Sequence, residues 1–307
     1  MDSIAHAALL RERLPQLEVA ELRPLPHYGW GGDNDVYLAD GRVIVSFPRS
    51  PDTAAALEIE AQLLPQIAER VPVAVPRFEH IVRDPTTSLP AFVTYPLIPG
   101  EPLRGPTVRR LESADPVAFD RITRGVGGFL AGLHSLPIER AVAAGLDAPR
   151  LSIRQGVECQ RARIRANLLP ALDADESAAL DRLLDAYLDD PAHFDWEPVV
   201  CHGDLSSDHL LAEGQSPSRL TGVIDFADLT IGDPAGEMTW RAEYGDEFFW
   251  RVIEHYRPAD DLPAFARAVD FRWRLVPTVE ISYGLETGTA EYVAEGRREL
   301  RERLLGR

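Results

Sequence analysis

The run Val199-Val200-Cys201-His202-Gly203-Asp204-Leu205-Ser206-Ser207-Asp208-His209-Leu210-Leu211, followed by Leu220-Thr221-Gly222-Val223-Ile224-Asp225-Phe226, leaves the backbone few choices. Short apolar runs flank each acidic group, the pattern of strand, loop, strand, turn, strand. Glu213-Gly214-Gln215-Ser216-Pro217-Ser218 supplies the turn, because Gly, Ser and Pro interrupt both helix and ladder. Leu210-Leu211 and Val223-Ile224 then pair as a hairpin. That pairing brings His209, just before the first strand, to Asp225, just after the second, with Asp204 in the loop that leads in.

Two carboxylates and an imidazole at one place suit phosphoryl transfer. One carboxylate orients an attacking hydroxyl and takes its proton, and the other, with a neighbouring ligand, holds magnesium on the phosphates. Taken singly, Asp204 reads as a turn former and Asp225 as a helix or turn cap, as most loop aspartates are. The spacing of the whole string carries the reading.

With His202-Gly203-Asp204, His209 five positions on, Asp225, and the follow-on Gly232-Asp233-Pro234-Ala235, the chain resembles the aminoglycoside phosphotransferase family of the protein-kinase-like fold. The resemblance extends weakly over nearly the whole chain, through a glycine loop near the N-terminus and Ile98-Pro99-Gly100. It implies an α+β, two-lobed fold: an N-terminal lobe with an antiparallel sheet and helices over 1–95, a hinge over 96–101, and a mainly helical C-terminal lobe over 102–307. It also implies that Asp204 is the catalytic base and Asp225 the metal-binding acid. His209 stands where many relatives carry Asn and some His, and magnesium favours oxygen over imidazole.

The same resemblance makes Gly29, Gly31, Gly32, Asp33 and Asn34 the loop over the nucleotide phosphates, a role glycine suits because backbone amides can approach closely. The second strand of the following hairpin carries the family's phosphate-contacting lysine, and Ser46 occupies that position. All 32 basic residues of this chain are arginine, so no lysine exists to replace it. Three readings are open: Arg49 supplies the charge bidentately, metal and backbone amides hold the nucleotide alone, or catalysis is lost. Glu60 matches the glutamate that pairs with the lysine. Arg49 is its candidate partner, with a solvated Glu60 the alternative. ATP or GTP would bond the hinge backbone near Thr94, Tyr95 and Leu97.

Bulk composition is that of a globular chain: 307 residues, 45% apolar, 26% charged. No apolar run approaches a membrane span, and Asp2, His6, Arg11 and Glu12 stand where a signal peptide would be apolar, so a cytoplasmic protein away from membranes is expected. The net charge of −17 argues against nucleic acid and suits a cationic or neutral small hydroxyl substrate. Cys159 and Cys201 are too few for a disulfide scaffold, and Cys201 reads as a small buried hydrophobe. The chain is expected as a monomer or homodimer.

Along the chain, periodicity predicts a helix from Ser3 to about Arg13 and a strand over Leu17–Leu22. A hairpin follows over Val36–Leu38 and Val43–Phe47, turning at Asp40-Gly41, and then a helix capped by Thr53 that kinks or restarts at Pro65. Val73–Val75, Phe78–Val82 and Ala91–Tyr95 complete a five-stranded sheet. Helices follow over Pro116–His134, over Ile153–Leu188 in two pieces with a solvated acidic face, and from Asp233. Further helices are predicted over Glu247–Tyr256, Leu262–Leu275, Val279–Leu285 and Ala290–Leu305. Glu237, Trp240, Glu243, Asp246 and Glu280 are the candidate substrate residues beside Asp204, an acidic and aromatic set suited to amines.

The predicted activity is transfer of a nucleotide γ-phosphate to a hydroxyl of an aminoglycoside-like antibiotic. The alternatives are a kinase for homoserine, choline, a sugar, a macrolide or a tuberactinomycin, and a pseudokinase suggested by Ser46. A metal-dependent hydrolase built on His202, Asp204, His209 and Asp225 is the least favoured.

Overall fold

The computed structural model describes residues 3–25, 34–214 and 217–306. Helix α1 (Ser3–Arg13) leads through a 3-10 turn at Pro15–Leu17 into strand β1 (Leu22–Pro24). The strand expected over Leu17–Leu22 is therefore displaced toward the C-terminus. Pro15 opens the tight helical turn, and Glu18 adopts a left-handed conformation at its end, so the alternating residues never extend.

Strands β2 (Asn34–Ala39) and β3 (Val43–Pro48) form the expected hairpin, with Asp40 and Gly41 both at positive φ, the geometry that matches strand twist. Strands β4 (His80–Arg83) and β5 (Pro90–Pro96) complete an antiparallel sheet of order β1-β2-β3-β5-β4. The segment at Val73–Val75 is not one of its strands. Ala74 instead bridges Gly222 in the other part of the chain.

One face of the sheet is covered by α1, where His6, Leu10 and Leu14 pack on Tyr37, Val45, Phe47 and Phe92. Helix α2 (Pro51–Ala68) follows β3 and runs unbroken past Pro65. Its N-cap is Ser50, not Thr53. Ser50 Oγ accepts from the Thr53 N–H, and Thr53 Oγ1 accepts in turn from the Ser50 N–H, a reciprocal box that Thr53 completes from inside the helix.

Beyond β5 the short strand β6 (Glu101–Pro102) pairs with a strand far along the chain, and α3 (Gly105–Ala114) precedes α4 (Pro116–His134). The α4 stripe of Phe119, Ile122, Val126, Phe129, Leu130 and Leu133 lies at the centre of the larger core. After α5 (Ile138–Ala143) come α6 (Ile153–Arg163), continued by a π-helical turn, and α7 (Ala174–Asp189). The acidic face of α7 is not merely solvated. Asp181 and Asp185 pair with Arg161 and Arg165, and Glu176 is buried against Arg297 and Arg301.

Strand β7 (Val199–Cys201) leads into the central loop, and β8 (Leu210–Ala212) pairs with β9 (Leu220–Val223) in the expected hairpin, Leu210 opposite Val223. An unanticipated strand β10 (Thr230–Gly232) closes on β7. Asp233 then caps a 3-10 helix at Pro234–Met238, and α8 (Arg241–Tyr244) and α9 (Asp246–Tyr256) follow.

The two helices expected over 262–285 are one, α10 (Leu262–Thr287), which continues through Pro277 to meet α11 (Ala290–Leu305). Proline at 277 cannot donate to the carbonyl four residues back. The Arg303 guanidinium of α11 donates to that Trp273 carbonyl at 2.7 Å and so replaces the bond the proline cannot make.

Candidate active site

The central loop leaves β7 at Cys201 and is pinned at once. His202 is wholly buried, and its Nε2–H donates to the Ile224 carbonyl at 3.0 Å, tying the loop to the end of β9. Burial depresses the His202 imidazole below its usual range, so it serves as a neutral strut. The backbone N–H groups of His202 and Gly203 both donate to the Glu237 carboxylate, at 2.7 and 3.0 Å.

Gly203 takes φ +90°, and a Cβ there would stand 2.0 Å from the Asp228 carbonyl oxygen. The middle residue of His-Gly-Asp must therefore be glycine for two loops to touch.

This packing sets Asp204 at the mouth of the loop with its side chain 58% exposed. Partial burial, with Asp228, Asp225 and Asp208 nearby, pushes its carboxyl up to about 6, against the pull of His209. His209 Nδ1–H donates to the Asp204 carbonyl at 2.7 Å, which leaves Nε2 facing Asp225 Oδ2 at 3.4 Å. In a neutral ring these are two acceptors facing each other, a juxtaposition relieved by a shared proton or a cation. Asp225 itself sits at φ +66°, a left-handed conformation that costs most side chains energy and that aspartate tolerates better than most. The expected convergence of Asp204, His209 and Asp225 is thus present, and its carboxylate oxygens fit a hard divalent cation.

The nucleotide side is more mixed. Gly29, Gly31, Gly32 and Asp33 lie outside the described residues. Asn34 opens β2 with its Oδ1 buried and without a hydrogen-bond partner among them. Ser46 is buried in mid-β3 between Val36 and Val93.

Arg49 is engaged by Asp35, with Nε and a terminal nitrogen each 2.8 Å from the carboxylate, so it does not serve as the partner of Glu60. Glu60 is 6% exposed and makes no ion pair among the described residues, which corrects the solvated alternative as well. Burial first, then Asp225 and Asp228, push its carboxyl up to about 8, so it is held protonated at neutral pH.

Thr94 is buried, its hydroxyl bonded to His80 and its carbonyl accepting from Glu79, so it offers nothing to a ligand. Tyr95 keeps its phenol buried beside Glu60 and Asp225, where burial raises its pKa. The Leu97 N–H is spent on the Arg42 carbonyl, while its side chain is exposed.

The substrate set needs the most correction. Glu237, 3% exposed, faces the loop backbone from below rather than a ligand. Burial raises its pKa, but the contact with His134 and the Gly203 N–H outweigh this and hold it low. Trp240, 4% exposed, packs on Tyr244 and Phe248. Glu243 caps α3, accepting from the Gly105 N–H at 2.7 Å, and Asp246 is exposed and paired with Arg241. Glu280 lies against α11, where burial, Glu299 and Glu295 raise its pKa.

The residues around Asp204 that sequence reasoning passed over are Asp208, held by Arg104, and Asp228. Both stand within three positions of a recognised site residue, which is the signal that was available.

Comparison with known proteins gives a consistent picture. The family model described as "Phosphotransferase enzyme family" matches residues 25–268. A curated viomycin phosphotransferase of Streptomyces vinaceus is 31% identical over 169 residues, 54% of this chain and 55% of that protein. The match thus spans about half the length of that relative.

The solved GDP complex of a wild-type aminoglycoside 2'-phosphotransferase-IIIa superposes with a TM-score of 0.87 at 25% identity, covering 100% of this chain and 99% of the other. The GDP and kanamycin complex of APH(2")-IIia gives 0.85 at 26%, covering 98% of each. The antiparallel sheet followed by a mainly helical part is therefore the kinase-like fold.

Proposed function

Because the chain belongs to the phosphotransferase enzyme family, we propose that it transfers the γ-phosphate of a nucleoside triphosphate to a hydroxyl of a cationic, aminoglycoside-like antibiotic. The observation that carries this reading is the meeting of Asp204 and Asp225 on the two nitrogens of His209.

Asp204 receives the hydrogen bond of the acceptor hydroxyl and its proton as the oxygen bonds to the γ-phosphorus. The bond to the β,γ-bridging oxygen breaks, and the nucleoside diphosphate leaves. A carboxylate raised to about 6 is a better base than an ordinary one and is still ionised at neutral pH. Held by Asp225 with His209 beside it, magnesium would neutralise charge on the phosphate oxygens. Asp208, Asp225 and Asp228 lend the mouth of the site a negative field that attracts amines.

In this reading residues 1–95 form the nucleotide lobe, 96–101 the hinge and 102–307 the acceptor lobe, and the enzyme works in the cytoplasm. GTP is favoured as donor by the GDP complexes of the two structural relatives. Viomycin is a second candidate acceptor, on the strength of the curated relative.

Incubation with γ-labelled GTP or ATP and a panel of kanamycin-type aminoglycosides, viomycin and macrolides tests the proposal. A phosphorylated aminoglycoside supports it, and phosphorylation of viomycin alone moves the acceptor to the second candidate. Nucleotide binding with no magnesium-dependent transfer to any acceptor would make the chain a pseudokinase.

A further inference from the structure

Beneath the catalytic loop, three side chains that play no part in the chemistry above converge in the core. They are His134 at the end of α4, Cys201 at the end of β7 and Glu237 in the 3-10 helix. One ligand-type atom from each lies within 4.8 Å of the others. Side-chain exposure is 5% at His134 and 3% at Glu237, and Cys201 is buried as well.

His134 Nδ1 is bonded to the Tyr256 hydroxyl, and its Nε2 is buried with no hydrogen-bond partner among the described residues, 3.8 Å from Glu237 Oε2. A buried polar atom without a partner is the kind of group an ion or a water satisfies. The arrangement also matches what a metal-ligating histidine requires: one ring nitrogen fixed by an outer partner, the other aimed at the ligand cluster.

We propose that His134 Nε2, Cys201 Sγ and a Glu237 carboxylate oxygen form a structural binding site for a zinc-type divalent cation. Imidazole, thiolate and carboxylate are the donors zinc takes in tetrahedral geometry, with a fourth position left for water. Charge supports the assignment. A thiolate and a carboxylate with a neutral imidazole balance a divalent cation, so the buried site is neutral overall. Binding replaces the Cys201 thiol proton, which is released to solvent on loading.

Through Glu237, which also accepts the His202 and Gly203 N–H groups, the ion joins α4, β7 and the 3-10 helix under the loop that carries Asp204. The site is independent of the phosphoryl-transfer reading, because none of its ligands touches nucleotide or acceptor.

The test is metal content and spectroscopy of the full chain, with no activity readout. Protein produced in zinc-supplemented medium and washed with a weak chelator is expected to retain one zinc per chain. Produced with cobalt, it is expected to show the near-ultraviolet thiolate-to-cobalt charge-transfer band. Cys201→Ser is expected to lose that band and at least about 100-fold in zinc affinity, and Tyr256→Phe about 10-fold. Wild-type protein that holds no zinc above background, or cobalt without the thiolate band, overturns the proposal whether or not the variants fold. An imidazolium–carboxylate pair between His134 and Glu237 would then account for the cluster.

Discussion

Replacing Glu60 with Gln removes a charge while keeping shape, and its effect is set by where Glu60 sits. The carboxyl is 6% exposed beside Asp225 and Asp228 with no cationic partner among the described residues, and it titrates near 8 instead of the usual 4.5. Between those values the folded chain binds a proton that the unfolded chain has released. Stability from the protonated form is therefore whole below pH 4.5 and drains away as pH rises through 8.

At about 1.4 kcal/mol per pH unit, the interval is worth at most about 5 kcal/mol. The effective dielectric around buried groups in proteins lowers this, and we expect about 2 to 3 kcal/mol. For a chain of this size that is a difference in Tm of roughly 3 to 5 °C. Thermal melts of wild type and Glu60→Gln, without nucleotide, should coincide near pH 5 and diverge in favour of the variant toward pH 9. A difference that stays flat across this range would refute the reasoning, because it would mean Glu60 is ionised throughout or shielded by an unrecognised cation.

The pH dependence of kcat/KM should rise with unit slope to a limb near 6, the value set by Asp204, and then level off; Asp228→Asn should move that limb lower by removing a neighbouring charge. In Glu237→Gln one of the two loop N–H groups would meet an amide donor instead of an oxygen, so a loss of about 3 kcal/mol in a urea melt is expected, with kcat down at least about 10-fold. Gly203→Ala should abolish transfer, since its Cβ would collide with the Asp228 carbonyl; Gly214→Ala, also at positive φ but with nothing among the described residues within 4 Å, should cost only about 1 kcal/mol by the same melt.

What could be read in advance follows from the range of the forces involved. The hairpin register depends on neighbours in sequence, so Leu210 opposite Val223 and the approach of His209 to Asp225 were legible. Amphipathic α4 was legible for the same reason.

Glu237 was not, because its partners are backbone amides 34 and 35 positions away, and the side chain alone looks like an ordinary helix-end acid. Nor was the continuity of α10: a proline signals a break unless a guanidinium 26 positions further on completes the missing bond. Thr53 and Ser50 are both good caps by type, and only the reciprocal geometry decides between them. The absence of lysine was plain in the sequence. That Glu60 answers it by keeping its proton, with Arg49 turned to Asp35, required burial and distances.

The account rests on Asp204 acting on the acceptor and not on the nucleotide. The most direct check is Asp204→Asn, with nucleotide affinity and phosphoryl transfer measured on the same preparation. We predict nucleotide binding close to wild type and transfer slower by at least about 100-fold. Transfer at the wild-type rate would contradict the assignment.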